Sequence, residues 1–131
     1  MNSALMKVGL IAAGCMNIGG VLIFSRAFTN TAINNAEPVV MSNFGLLMIA
    51  VWGFAYIGAA TIASSIKWLA GAFAVEKFVY VVVWLMWLSD NSLAQLYDKD
   101  FFAGVFYSIY GVNDLMFMLF FALVFFRQRI G

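Results

Sequence analysis

The chain contains no histidine, one cysteine (Cys15) and one proline (Pro38), and only 10% of its 131 residues are charged. Without histidine, Ser-His and Cys-His catalysis and the usual imidazole ligation of haem are excluded. A lone cysteine excludes an intrachain disulfide and a thiolate zinc cage. Soluble domains carry about a quarter charged residues, so the shortage of charge argues against a soluble domain. The formal charge of +1 leaves no basic footprint for nucleic acid. No cofactor is expected.

What remains is apolar. Hydrophobic residues make up 65% of the chain, more than a water-soluble domain of this size can hide. Lipid has to be the solvent. The apolar runs are hydrophobic all round rather than on one face, which excludes a helix lying on the membrane surface.

Four runs stand out, at about 8–28, 39–64, 68–88 and 102–126. Each holds about 20 residues or more, enough to cross a hydrocarbon core of about 30 Å as a helix. The expected fold is an all-α integral membrane protein. Residues 1–131 form a single transmembrane domain, a four-transmembrane-helix antiparallel bundle. Lys7, Lys67, Arg127 and Arg129 fall on one face, Arg26 and Lys99 on the other. That asymmetry predicts both termini in the cytoplasm. The expected location is a bacterial cytoplasmic (inner) membrane.

Between the runs, 29–37 reads as a polar loop. Pro38 fits a first helical turn, and Ser42 or Asn43 could cap a later start. Ser64, Ser65 and Lys67 predict a tight turn. Leu93, Leu96 and Tyr97, with Ser92 and Gln95 spaced for a capping box, predict a short interfacial helix. Lys7 followed by Ala12-Ala13-Gly14-Cys15 has the look of a bacterial lipoprotein signal. Hydrophobicity continues to Phe28, however, and predicts a retained helix with Cys15 as a buried small side chain. Arg26 reads as a snorkelling boundary residue, or as a partner for Glu37 or Asp90.

Small residues recur where helices would touch: Gly9 with Ala13, the cluster Gly14, Gly19 and Gly20, the stripe Ala55, Ala59 and Ala63, and Ala70 with Ala74. They predict close approach of the first three spans. The fourth, rich in Phe and Met, is expected to show more side chain to lipid.

Against this background two carboxylates are conspicuous. A 1.5 Å rise per residue puts Asn17 about 15 Å in from Lys7, and Glu76 about 13 Å in from Lys67. Tyr56 and Lys77 come out about 16 and 15 Å in from Lys67, and Asp114 about 19 Å in from Arg127. Every span thus contributes a polar group near one level. Glu76, Tyr80 and Trp84 share one helix face, as do Tyr107, Tyr110 and Asp114, with Asn113 alongside. One lysine is present for two acids. The second acid has to be met by a proton, a bound cation or a hydrogen-bonding partner.

Three functions follow. The first is a protein that binds or transports a proton, a cation or a polar-headed lipophilic small molecule. Its site would be Glu76, Asp114, Lys77, Asn17, Tyr56, Tyr80, Trp84, Tyr110 and Asn113, at the depth where transporter sites lie. Small drug-efflux proteins are similar in layout, but their carboxylate lies in the first helix, where this chain has Asn17. The second is an accessory subunit of a larger membrane complex, its buried charges serving as a packing latch. The third is an intramembrane enzyme using the acids as a pair, for which no nucleophile motif, metal constellation or phosphate loop speaks. Expected partners are the bilayer, a small lipophilic or cationic ligand, and a second copy or membrane partner protein.

Overall fold

Short polar side chains decide where most helices begin. In the computed structural model, which describes residues 2–129, the chain forms α1 (Ser3–Phe24), α2 (Thr31–Ala36), α3 (Asn43–Ala59), α4 (Lys67–Asp90), α5 (Leu93–Lys99) and α6 (Phe101–Arg127). Asn2, Asn30, Ser42, Ser92 and Asp100 each accept from an otherwise orphaned N–H at the start of α1, α2, α3, α5 and α6. No side chain caps α4 in this way. Instead Gln128, from the far end of the chain, accepts from the Ile66 N–H at 2.6 Å.

Helices α1, α4 and α6 are long and apolar enough to cross a membrane, which supports an integral membrane protein. Only 22% to 33% of their most apolar windows is buried within the chain. Side chains such as Val75, Leu119 and Phe126 point outward, and their cover has to come from outside the chain.

The second apolar run departs from expectation. A helix over 39–64 is predicted, but α3 spans 17 residues, about 25 Å long. Before it, the Met41 N–H binds Glu37 O and Asn34 binds Met41 O. Gly45 leaves room for the Val40 carbonyl where a Cβ would otherwise sit. After it, the Thr61 hydroxyl turns back onto Gly58 O and the Ser65 hydroxyl is spent on Arg129 O. Hydroxyls used in this way compete with helix. The expected loop at 29–37 contains α2, and the expected interfacial helix is α5, with the Ser92 hydroxyl accepting from Gln95 N–H.

Helix α1 lies along α3, and α4 along α6; α1 also meets α6, whereas the backbones of α3 and α4 stay apart and meet through side chains such as Tyr56 and Phe73. The chain is therefore two helix pairs laid together. Helix α6, expected to face lipid, is instead the most packed, with a buried stripe from Ala103 to Val124. Its Phe and Tyr residues recur at helical spacing and meet α4, α5 and α1. The closest approach of α1 and α3 is at Gly14 and Gly53. A Cβ on Gly14 would lie 2.6 Å from Gly53 O, and one on Gly53 would lie 2.8 Å from Gly14 O. Of the expected alanine stripe, Ala59 is buried in one cluster with Met6, Leu10 and Ala13 of α1, whereas Ala55 and Ala63 are exposed. Cys15, expected to be buried, is exposed as well: its neighbour Gly14 occupies the inward face.

Arg26 pairs with Asp100 at 2.8 Å, not with Glu37 or Asp90. Asp100 also accepts from Asn30 Nδ2 at 2.8 Å and from the Ala103 N–H at 2.9 Å. These bonds tie the end of α1 to the start of α6. The tie spans Arg26, Ala27 and Phe28, whose φ angles of 49°, 55° and 68° are left-handed, a conformation that costs roughly 1–2 kcal/mol per residue. Partial burial works against the charge on Asp100. The hydrogen bonds from Arg26, Asn30 and Ala103, with the Arg26 charge, outweigh it and hold the pKa below 3.8. A lowered carboxylate pKa adds stability above the ordinary value, and that stability is lost as pH falls through the lowered one. Asp100→Ala removes a helix cap and strips buried Asn30 of a partner, so it should cost about 2 kcal/mol. Denaturant titration in micelles checks this; the gap to wild type should narrow as pH drops below 3.8.

Candidate functional site

Two apolar clusters fill the bundle. One joins Leu10, Tyr56, Phe73 and Phe121, the other Val21, Leu46, Trp87 and Tyr107. A polar layer runs between them. Helix α1 brings Asn17, α3 brings Tyr56, α4 brings Glu76 and Lys77, and α6 brings Asn113 and Asp114. Along each of α1, α4 and α6 the polar step is bounded by core on either side: Ala13 and Val21, Phe73 and Val81, Tyr110 and Phe117.

Lys77 is 1% exposed. Its ammonium donates to Asp114 Oδ1 and to Asn17 Oδ1, both at 2.8 Å, and lies 5.2 Å from the centroid of the Tyr56 ring. Asn17 Nδ2 passes the chain of bonds on to Ile49 O at 2.9 Å. One cation thus links α4 to α6, to α1 and, through Asn17, to α3. Pairing and hydrogen bonding together are the condition on which buried charge is tolerated.

Glu76 is the next residue along, but a helical step of about 100° turns it toward α3. There the Tyr56 hydroxyl donates to Oε1. Among the described residues no lysine or arginine pairs with Glu76. It is also only half-buried, on the side of α4 that meets Tyr56 of α3. The single lysine therefore serves Asp114, and a tyrosine serves Glu76. The two acids are thus held by different partners.

The other expected site residues divide. Trp84 Nε1 donates to Tyr107 O at 2.7 Å and its ring covers Gly111, where a Cβ would collide with it. That packs the space between α4 and α6 at this level. Tyr80 is half-buried at the edge of the second cluster, one turn beyond Glu76. Space opens instead on the far side of α6. A cavity of about 60 Å³ between α1, α3 and α6 is lined by Asn17, Tyr110, Asn113 and Asp114. It has room for water or a small ion.

One residue was missed. Glu37, seen in the sequence as a loop charge, turns its carboxyl inward beside the Tyr110 hydroxyl. Three buried oxygens (Glu37 Oε2, Tyr110 Oη and Asn113 Oδ1) lack a hydrogen-bond partner among the described residues. Burial pushes the Glu37 pKa above its ordinary value, against the opposing effect of the nearby Tyr110 hydroxyl. No spacing signal marks Glu37, because its direction is set by α2, a six-residue helix that the sequence does not announce.

Comparison with known proteins supplies no relative: no family model matches the chain, and neither a curated protein nor a solved structure does.

Proposed function

We propose that α1, α3, α4 and α6 all cross a bacterial inner membrane with both termini in the cytoplasm. We further propose that the chain binds or passes a proton, a cation or the polar head of a lipophilic molecule at Glu76. The orientation follows the charges. Lys7, Lys67, Arg127 and Arg129 lie at one end, whereas Arg26 and Lys99 share the other with Glu37, Asp90, Asp98 and Asp100. Helix α3 alone is short of a full hydrocarbon core of about 30 Å. The turns at 39–42 and 60–66 complete its crossing.

One observation carries the site. Glu76 is a half-buried carboxyl at mid-depth, held by a tyrosine hydroxyl and, among the described residues, by no cation. Lys77 beside it is already committed to Asp114 and Asn17. A proton or a cationic group reaching the uncovered side of Glu76 completes what the carboxyl lacks, and Tyr56 orients it to receive that group. Tyr80 lies one turn away on the same face of α4.

A hydrophobic carbodiimide, which attacks protonated carboxyls in apolar surroundings, tests this. The label is expected on Glu76 and not on Asp114, and a cationic ligand should protect against it. In vesicles Glu76→Gln should lower proton-coupled flux at least about tenfold while the protein still folds. Labelling of Asp114 in preference to Glu76, or undiminished flux in the variant, would sink the proposal.

A second reading, an accessory subunit in which the buried charges latch the helices, is favoured by Lys77 itself. Two of its three N–H donors are taken by Asp114 and Asn17, and its bonds reach three other helices, directly or through Asn17.

A further inference from the structure

At the end of the bundle where α1 begins and α6 finishes lies an open cavity of about 570 Å³. Three cationic side chains line it: Lys7, Arg127 and Arg129. Among the described residues no acidic side chain does, and none of the three is paired with a carboxylate. Lys67, also at this end, is not available in the same way. Its ammonium is spent on Phe125 O at 2.6 Å and sits 3.9 Å from the centroid of the Phe125 ring.

The cavity is built rather than incidental. Gln128 accepts from Ile66 N–H and donates to Met6 Sδ, and the Ser65 hydroxyl donates to Arg129 O. These bonds strap residues 128–129 across the end of the bundle, so that Arg127 and Arg129 are held on its rim. Below the cations the wall turns apolar, with Met6, Ile62 and Val124. Cationic rim, apolar floor and a position where two spans end match a molecule that is anionic at one end and hydrocarbon at the other.

We propose that this cavity holds the phosphodiester headgroup of an anionic phospholipid. Guanidinium groups bind phosphate oxygens through a planar fork, and basic recesses at the ends of membrane helices take anionic headgroups for the same reason. The apolar floor favours a lipid over a soluble phosphate, which has no part to lay against Met6 and Val124. This site is separate from Glu76, and neither proposal depends on the other.

Native mass spectrometry of the full chain in detergent, with phosphatidylglycerol or phosphatidylcholine added, tests it. The anionic lipid should be retained at least about tenfold more strongly. Lys7→Gln with Arg127→Gln and Arg129→Gln should abolish that preference, and Lys7→Gln alone, on an exposed side chain, should weaken it. Arg127→Lys with Arg129→Lys should keep part of it, and Lys99→Gln at the opposite end should leave it unchanged. Equal retention of the two lipids, or a preference that survives the triple substitution, would overturn the proposal. So would displacement of the lipid by inorganic phosphate at low millimolar concentration, which would assign the cavity to a soluble anion.

Discussion

Lys77→Met is expected to destabilise the folded chain by about 3 kcal/mol or more, because it leaves the Asp114 carboxylate buried and unpaired. The loss goes beyond one contact. The same ammonium holds Asn17 on α1 as well as Asp114 on α6, so the two helix pairs lose a shared tie at mid-depth. Asp114→Leu alone should cost a comparable amount by stranding the cation, which is 1% exposed. Together, Lys77→Met and Asp114→Leu should recover much of the stability, to within about 2 kcal/mol of wild type, since a buried ion pair contributes little over an apolar pair of similar volume and only the Asn17 oxygen is left without its donor. Denaturant titrations of the four proteins in micelles give the coupling directly. Additive losses in the double variant would mean that the pair is not the latch its geometry describes.

The double variant also separates the two functional readings. It keeps Glu76 and Tyr56 while removing the latch. If it folds and still takes the carbodiimide label at Glu76 with flux intact, the ion pair is scaffold and Glu76 is the site. If it folds and flux disappears, Lys77 and Asp114 belong to the working machinery.

Gly14→Val is the second large effect, expected at about 3 kcal/mol, at the upper end of ordinary overpacking. A Cβ at residue 14 would meet Ile57 Cγ1 at 2.5 Å and, at 2.6 Å, Gly53 O, a backbone carbonyl. Backbone cannot swing aside as a side chain can, so α1 and α3 must separate and give up the close packing that drives helix association in lipid. Gly53→Val should behave alike, because its Cβ would meet Gly14 O at 2.8 Å. Gly19→Ala is the contrast, since nothing lies within 4 Å of the Cβ it adds. It should be neutral or stabilising by up to about 1 kcal/mol from helix propensity. Equal losses at 14 and 19 would show that the crossing is not where α1 and α3 are held.

Much of the site was legible without the fold. Hydropathy located the long apolar helices, and counting at a fixed rise per residue put Asn17, Tyr56, Glu76, Lys77 and Asp114 at one depth. Depth is a property of each helix alone, so local sequence suffices. The glycine cluster in α1 was equally visible, but which glycine made the contact was not. Gly14, Gly19 and Gly20 are alike in sequence, and only the position of Gly53 on another helix distinguishes them. Helix α6 misled for a related reason. Phe and Met suit lipid and core equally, and the choice fell to the neighbours that α6 finds.

Partner choice lies beyond any single helix. That Lys77 turns to Asp114 while Glu76 turns to Tyr56 depends on how α4 is rotated against α3 and α6. That rotation is set by contacts such as Trp84 on Gly111, some 27 residues apart in the chain. Glu37 and the basic cavity arise the same way, from a short helix folding a loop inward and from the chain's two ends meeting. By itself the sequence determined the membrane-spanning class of the chain, the level of its polar layer and the surplus of one acid over its lysine. Tertiary structure alone decided which acid is paired and which is left to a tyrosine, because pairing needs side chains of different helices within about 3 Å of one another.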